Sequence, residues 1–240
     1  MIGDTLAHSS LAGITIGLLY NQNPVLGAFI FTSICGALIE FLRKFFNKHT
    51  DLILSIVLAL SVGTAITLIS SGKLHSNADS FMFGSILTVT RLDMIMVIVL
   101  SIISVLSLIF LYHKLVYIAF DEEAARVAGV KVGLLNYIFY ILVASAISVS
   151  VRIVGVLVLS SMIALPVATA LQLECGFKKT LIYSILFSMV DIMSGLFISF
   201  YLNVAPGGFT SLMSVAVLIL VMVGKKIYRA IKINASSEAA

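Results

Sequence analysis

Eight apolar segments follow one another along the chain, separated by short stretches that contain charges or turn residues. Each is close to the length of about 20 apolar residues that an α-helix needs to cross a bilayer. The segments run approximately over residues 4–20, 25–42, 51–71, 92–112, 134–151, 153–173, 180–202 and 209–224. The pattern predicts an all-α fold, a polytopic integral membrane helical bundle with about eight transmembrane helices.

The apolar segments continue along almost the whole chain, so we expect one transmembrane domain over residues 1–230 and a C-terminal tail over 231–240. The connection between the third and fourth segments, residues 72–91, is longer than the others. Its second half is too apolar for a solvated loop. We therefore expect it to re-enter the membrane surface.

The composition supports a membrane protein, because 60% of the residues are hydrophobic and only 11% are charged. Soluble domains carry about 25% charged residues. The two cysteines, Cys35 and Cys175, are too far apart in sequence to suggest a zinc knuckle or a disulfide framework. No phosphate-binding loop of the G-x-x-x-x-G-K-[ST] type occurs, so we do not expect this chain to hydrolyse ATP itself.

The positions of lysine and arginine test the predicted membrane topology, because these residues favour the cytoplasmic connections of a membrane protein. Alternating connections place twelve of the 15 lysines and arginines on one side and three on the other. The asymmetry predicts that residues 43–50, 113–133, 174–179 and the C-terminus are cytoplasmic. The net charge of +4 is thus explained by topology, and we expect no nucleic-acid partner.

One predicted cytoplasmic connection contains a short amphipathic helix within the stretch KLVYIAFDEEAARVAGVKVG. Asp121 is placed to cap its N-terminus, Glu122 and Glu123 favour the positive end of its dipole, and Gly129 can close it. Its small apolar face comprises Ala124, Ala125, Val127 and Ala128. Such a helix suits either the groove of a partner protein or the lipid surface, and the residues alone favour neither.

The first apolar segment carries an acid and an imidazole four residues apart, Asp4 and His8. Residues at this spacing share one helix face, and a charged residue in the bilayer costs about 2.5–3.5 kcal/mol. Carboxylate oxygen and imidazole nitrogen suit zinc or manganese. A twofold dimer would supply two copies of the pair. The alternative is that His8 donates a hydrogen bond to Asp4 and both side chains serve helix packing.

Three further residues are weaker candidates for metal contact. Asp191 is a carboxylate inside a predicted span, where a hydrogen bond to a hydroxyl of a neighbouring helix is an equal alternative. His75 and Asp79 lie in the predicted outer connection, again four apart. They are placed to pass metal from a binding protein to the pore, although loop residues of this kind are commonly only solvated.

Three segments resemble one known family in a single register along the chain. They are GDTLAHSSLAG from Gly3, FDEEAARVAGVKV from Phe120 and VGVLVLSSMIALPVATAL from Val154. Together they resemble the permease subunits of bacterial ABC importers for divalent metals, the zinc, manganese and iron permease family. Members of that family commonly have one more helix before the first motif, whereas Met1 adjoins it here. The resemblance therefore leads us to expect an N-terminal truncation.

The resemblance implies roles and partners beyond the reasoning from residue types. Asp4 and His8 match positions that look like ligands of the translocation path. The stretch that contains the predicted short cytoplasmic helix matches the element that couples the permease to its ATPase. The residues of that element here are Phe120, Asp121, Glu122, Glu123, Ala125, Arg126 and Gly129. The implied partners are cytoplasmic ABC ATPase subunits, an external metal-binding protein and a second permease, in a bacterial cell membrane.

The resemblance also bears on the transported ion, because DTLAHSSLAG and LIEFLR, from Leu38, look closest to the zinc members. It implies no resident cofactor, only a transported divalent metal, with zinc preferred and manganese or iron as alternatives. Two other function classes stay open at this point. One is a membrane-embedded metalloenzyme that uses Asp4, His8 and Asp191, and the other is a non-transporting membrane assembly factor.

Overall fold

A computed structural model provides the three-dimensional structure. It describes residues 1–43, 45–46, 49–71, 82, 91–204 and 206–238. His75 and Asp79 lie outside the described residues, and the segment predicted to re-enter the membrane is described only at Met82 and Arg91. In the described part of the chain the regular secondary structure is entirely α-helical, which confirms the predicted fold class.

The helices of the described residues follow the predicted segments closely. They are α1 (Ile2–Leu19), α2 (Pro24–Arg43), α3 (Thr50–Ser70), α4 (Arg91–Phe120), α5 (Glu122–Val127), α6 (Val132–Val154), α7 (Val156–Leu171), α8 (Phe177–Leu202) and α9 (Pro206–Glu238). Each of the eight predicted segments corresponds to one helix, and α5 is the predicted short cytoplasmic helix. The helix α9 continues through most of the expected C-terminal tail.

The count of spans differs from the expected eight, since six of the described helices are long and apolar enough to cross a membrane. These are α2, α3, α4, α6, α8 and α9. The helix α7 has only 16 residues and contains Pro166, which lacks a backbone N–H donor. The helix α1 is also short, at 18 residues, and the polar side chains in its first half, including Asp4 and His8, reduce its apolar character.

The first turn forms at the predicted place for an identifiable reason. The side chain of Asn23 accepts a hydrogen bond of 2.9 Å from the backbone N–H of Val25, which satisfies a free donor at the start of α2. Pro24 occupies the first helical position, where its missing N–H costs nothing. Asn23 and Pro24 therefore end the turn after α1 and begin α2.

The chain forms two compact units, residues 1–156 and residues 157–240. In the first unit α1 packs against α2, α3 and α6, and most of its residues are buried. The backbones of α1 and α2 touch where Gly13 meets Gly27. A Cβ added to Gly13 would lie 2.7 Å from Cα of Ala28, so only glycine fits there. Small residues thus permit the close helix contact that α1 needs.

In the second unit α8 and α9 pack against each other through another small residue. A Cβ added to Gly195 would lie 2.7 Å from Cα of Thr210. At the other end of α9, Lys225 lies 2.8 Å from the carboxylate of Glu174 and also donates to the backbone carbonyl of Gln172. The connection after α7 is thus attached to the last helix.

Candidate functional site

Asp4 and His8 are half-buried on one face of the first half of α1. Their side chains are 44% and 26% exposed, whereas the residues between them, Thr5, Leu6 and Ala7, are buried. Nε2 of His8 is 3.7 Å from Oδ1 of Asp4, which is longer than a hydrogen bond. The two side chains therefore lie at ion-pair distance without a direct hydrogen bond. They present an oxygen and a nitrogen donor to whatever occupies this face.

The pair is incomplete as a metal site. Among the described residues, no group of three or more His, Cys, Asp and Glu side chains could hold a metal ion. Zinc sites in proteins commonly use about four ligands, or three with a water. A third ligand of these four residue types would therefore come from outside the described part of this chain.

A buried polar cluster fixes α1 directly beside the pair. The hydroxyl of Ser9 is 2.8 Å from that of Ser61 on α3, and Sγ of Cys35 on α2 is 3.8 Å from the same Ser61 oxygen. Ser9 also donates to the carbonyl of Thr5, at 2.8 Å. These bonds join three helices at the level of His8. The sequence did not predict this cluster. Polar side chains inside otherwise apolar segments were the feature from which it could have been inferred.

Asp191 is 1% exposed in α8, and its carboxylate faces Ser214 of α9. Within the described residues, neither carboxylate oxygen forms a hydrogen bond, and neither does the Ser214 hydroxyl. The structure therefore places Asp191 beside a hydroxyl of the neighbouring helix. It does not bring Asp191 into a described cluster of three metal-ligating side chains.

The short helix α5 has the predicted caps. Oδ1 of Asp121 accepts a hydrogen bond of 2.9 Å from the N–H of Ala124. At the other end Gly129 has φ +82°, and its N–H donates to Arg126 O at 3.1 Å. Val130 N–H then donates to Ala125 O at 3.0 Å, so the free carbonyls of the last turn are satisfied.

The two faces of α5 differ in exposure. Ala125 is fully buried and faces the rest of the chain, so it anchors α5 and is not available to a partner. Phe120 and Val127 are 72% and 90% exposed. We define the docking surface by its exposed residues, which are Phe120, Glu123, Arg126, Val127 and Ala128.

An ion-pair network attaches α5 to the transmembrane helices. Nη2 of Arg43, the last residue of α2, is 2.6 Å from Oε2 of Glu122, and Nη1 is 3.4 Å from Oε2 of Glu40. Nδ2 of Asn136 on α6 donates to the same Glu40 oxygen at 3.1 Å. Arg126 lies 3.1 Å from the second oxygen of Glu122. These five residues are the Arg43 network.

Sequence reasoning assigned no role to Glu40, Arg43 or Asn136. Glu40 is an acid inside a predicted span, and this position could have marked it as a candidate for a role. The structure shows that it is 6% exposed. The network also places the end of α2 beside the connection that contains α5. The charge asymmetry predicts that both regions are cytoplasmic, so their contact agrees with the predicted membrane topology.

Comparison with known sequences identifies related proteins over nearly the full chain. Residues 1–225 match the ABC 3 transport family. A probable metal transport system membrane protein of Treponema pallidum (strain Nichols) is 52% identical over 230 residues, which cover 96% of this chain and 86% of that protein.

More distant relatives carry the names of two different metals. The high-affinity zinc uptake system membrane protein ZnuB of Buchnera aphidicola subsp. Schizaphis graminum is 29% identical, over 94% of this chain and 87% of that protein. The manganese transport system membrane protein MntC of Listeria monocytogenes serovar 1/2a is 29% identical, over 86% of this chain and 74% of that protein.

A solved structure has the same fold. It is that of PsaBC from Streptococcus pneumoniae in complex with Fab, with a TM-score of 0.77 and 23% sequence identity. The match covers 91% of this chain and 79% of the solved chain. At this identity the likeness establishes the architecture of the helices.

Proposed function

This chain belongs to the ABC 3 transport family, and on that premise we propose that it is the membrane permease subunit of an ATP-driven importer of divalent metal ions. The observation that carries the proposal is the Asp4–His8 pair. Its two donors are half-buried on one face of α1, the residues between them are buried, and the two lie 3.7 Å apart without a direct hydrogen bond. In this role the pair contacts the ion during its passage.

The transported ion is a divalent metal, with zinc preferred and manganese or iron as alternatives. Imidazole nitrogen and carboxylate oxygen bind all three, so this donor set alone does not select among them. The 52% identical relative is named for metal transport without a specific ion, while more distant relatives are named for zinc or for manganese. A second permease copy would complete the coordination with another Asp4 and His8.

The energy for transport comes from partner ATPase subunits, because the sequence has no phosphate-binding loop of its own. The docking surface suits a groove of that partner: Phe120 and Val127 supply apolar anchors, and Glu123 and Arg126 supply charges around them. A metal-binding protein outside the cell delivers the ion. The permease is a multi-pass protein of the bacterial cell membrane.

Metal uptake into vesicles tests the proposal. The chain is purified with its ATPase and binding protein, reconstituted, and supplied with radioactive zinc and ATP. We expect ATP-dependent uptake that falls by more than tenfold in Asp4→Asn and in His8→Gln, on the order of one lost metal ligand or its support. Asp51→Asn is the matched control, because Asp51 is an exposed carboxylate at the start of another helix.

The outcomes separate the three function classes. Unchanged uptake in both variants contradicts the assignment of the pair. An assembled wild-type complex that hydrolyses ATP and takes up none of the three metals contradicts transport and favours the assembly factor. A metalloenzyme would require substrate turnover that depends on Asp4, His8 and Asp191. The described residues offer no three-ligand cluster for such a centre.

A further inference from the structure

We infer that the Arg43 network transmits the movement of the docking helix α5 to the metal-bearing helix α1, with Arg43 and Glu122 as its positioning residues. The inference rests on the proposed function, because it assumes that an ATPase moves α5. It assigns a role to a set of charged and polar side chains that neither the metal path nor the docking surface explains.

The Arg43 guanidinium joins two carboxylates through two different nitrogens. Nη2 binds Glu122 at 2.6 Å, and Nη1 lies 3.4 Å from Glu40. A planar guanidinium holds such a fork in a fixed geometry, which a lysine ammonium does not. Arg43 and Glu122 are 79 residues apart in the sequence, so this pair is a direct tertiary link from α5 to α2.

The inner end of the network is anchored in the bundle. Glu40 is 6% exposed, and its Oε2 also accepts a hydrogen bond of 3.1 Å from Asn136 of α6. A buried carboxylate with two partners is costly to separate from either of them. Because Arg43 itself belongs to α2, a displacement of Glu122 acts on the end of α2 through the Arg43–Glu122 pair.

The first turns of α2, at the other end of this helix from Arg43, are in turn in backbone contact with α1. Added Cβ atoms would lie 2.7 Å from Cα of Ala28 at Gly13, and 3.1 Å from Cα of Gly17 at Gly27. Close-packed backbones leave no free space to absorb a shift of one helix relative to the other. Movement of α2 therefore reaches the helix that carries Asp4 and His8.

The alternative is that the network only holds α5 in place. The two roles differ in what a broken link does to an assembled complex. A static anchor affects ATPase retention or stability, and uptake falls together with the amount of complex. A transmitting link leaves the complex assembled and hydrolysing ATP, while the metal transported per ATP falls.

The experiment measures zinc uptake and ATP hydrolysis in the same vesicles of the reconstituted full complex. The variants are Glu122→Gln, Arg43→Gln, the double variant and Arg43→Lys. Asp51→Asn is the control, because Asp51 is an exposed carboxylate at the start of α3 and lies outside both the network and the docking surface. We expect ATPase retention and hydrolysis to persist in Glu122→Gln and Arg43→Lys, with zinc transported per ATP about tenfold lower. Asp51→Asn should behave like wild type.

The double variant tests whether the two residues act through one link. We expect its loss to equal that of the larger single loss, because a link broken once cannot be broken again. Unchanged zinc per ATP in both Glu122→Gln and Arg43→Lys would overturn the inference, as would losses that multiply in the double variant. Loss of ATPase retention in Glu122→Gln would also overturn it, in favour of a static anchor. Failure of the proposed function itself shows separately, as absence of ATP-dependent uptake in wild type.

Discussion

Nη2 of Arg43 lies 2.6 Å from Oε2 of Glu122, although Arg43 ends the second helix and Glu122 begins the fifth. The contact places the end of α2 and the connection around α5 at the same end of the first unit. It joins a predicted partner-docking element to the helices that pack around Asp4 and His8. Both the proposed function and the proposed transmission depend on this arrangement.

The contact between α1 and α2 should tolerate no side chain at Gly13. We expect Gly13→Ala to destabilise the protein by about 1–3 kcal/mol, because the new methyl overlaps the backbone at Ala28. Thermal unfolding in detergent measures the effect. Gly63→Ala in α3 is the control, since an added Cβ there meets nothing within 4 Å. Equal unfolding temperatures for the two variants would show that the helices do not meet at Gly13.

The caps of α5 should keep its exposed residues ordered. Asp121→Ala removes the bond to the Ala124 N–H at a cost of about 1 kcal/mol. Gly129→Ala forces a side chain into a left-handed conformation at about 1–2 kcal/mol. We expect both variants to accelerate tryptic cleavage after the exposed Arg126.

Gly133→Ala provides the control for the glycine variant. An added Cβ there would lie 3.8 Å from Oε1 of Glu40, an ordinary contact. Its cleavage rate should match wild type. If Asp121→Ala and Gly129→Ala are also cleaved at the wild-type rate, then the two caps do not determine the order of α5.

The two cysteines allow a direct test of the membrane topology, because Cys35 is buried and Cys175 is exposed. Cys175 belongs to a connection that the charge asymmetry places in the cytoplasm. A membrane-impermeant maleimide should therefore label Cys175 in inside-out vesicles and spare it in intact cells. Cys175→Ser should abolish the labelling. Labelling of Cys175 in intact cells would reverse the predicted orientation.

Asp191 should be dispensable for transport. Its carboxylate is buried beside Ser214, and asparagine keeps the shape of the side chain while removing the cost of a buried charge. We expect Asp191→Asn to retain zinc uptake within about twofold of wild type and to keep or raise the unfolding temperature. A tenfold loss of uptake with intact assembly would instead place Asp191 on the ion path.

The sequence predicted those features that depend on local pattern. Apolar segments located the helices, and capping residues such as Asp121 and Gly129 located α5. The number of membrane spans was harder to predict from the sequence, because α7 is short and contains Pro166, and α1 carries polar residues along its packed faces. The spacing of Asp4 and His8 predicted a shared face, and the structure adds that both side chains are half-buried there while the residues between them are buried.

The Arg43 network was not predictable in the same way. Its members come from three helices, and its bonds join residues 79 and 96 positions apart. Pattern arguments extend over a few residues, so they identify Glu40 as an acid in a span without naming its partners. The inward direction of Ala125 likewise depends on packing, because the sequence shows an apolar face on α5 without showing what covers it.

X-ray absorption spectroscopy of the zinc-loaded complex can show whether Asp4 and His8 contact the transported metal. The measurement uses the reconstituted complex trapped with zinc in the permease, after removal of the binding protein. We expect nitrogen and oxygen ligands at about 2.0–2.2 Å with imidazole scattering. His8→Gln should lose the imidazole signal, and Asp4→Asn should alter the oxygen shell. A bound zinc whose spectrum is the same in wild type and both variants would show that Asp4 and His8 do not contact the metal.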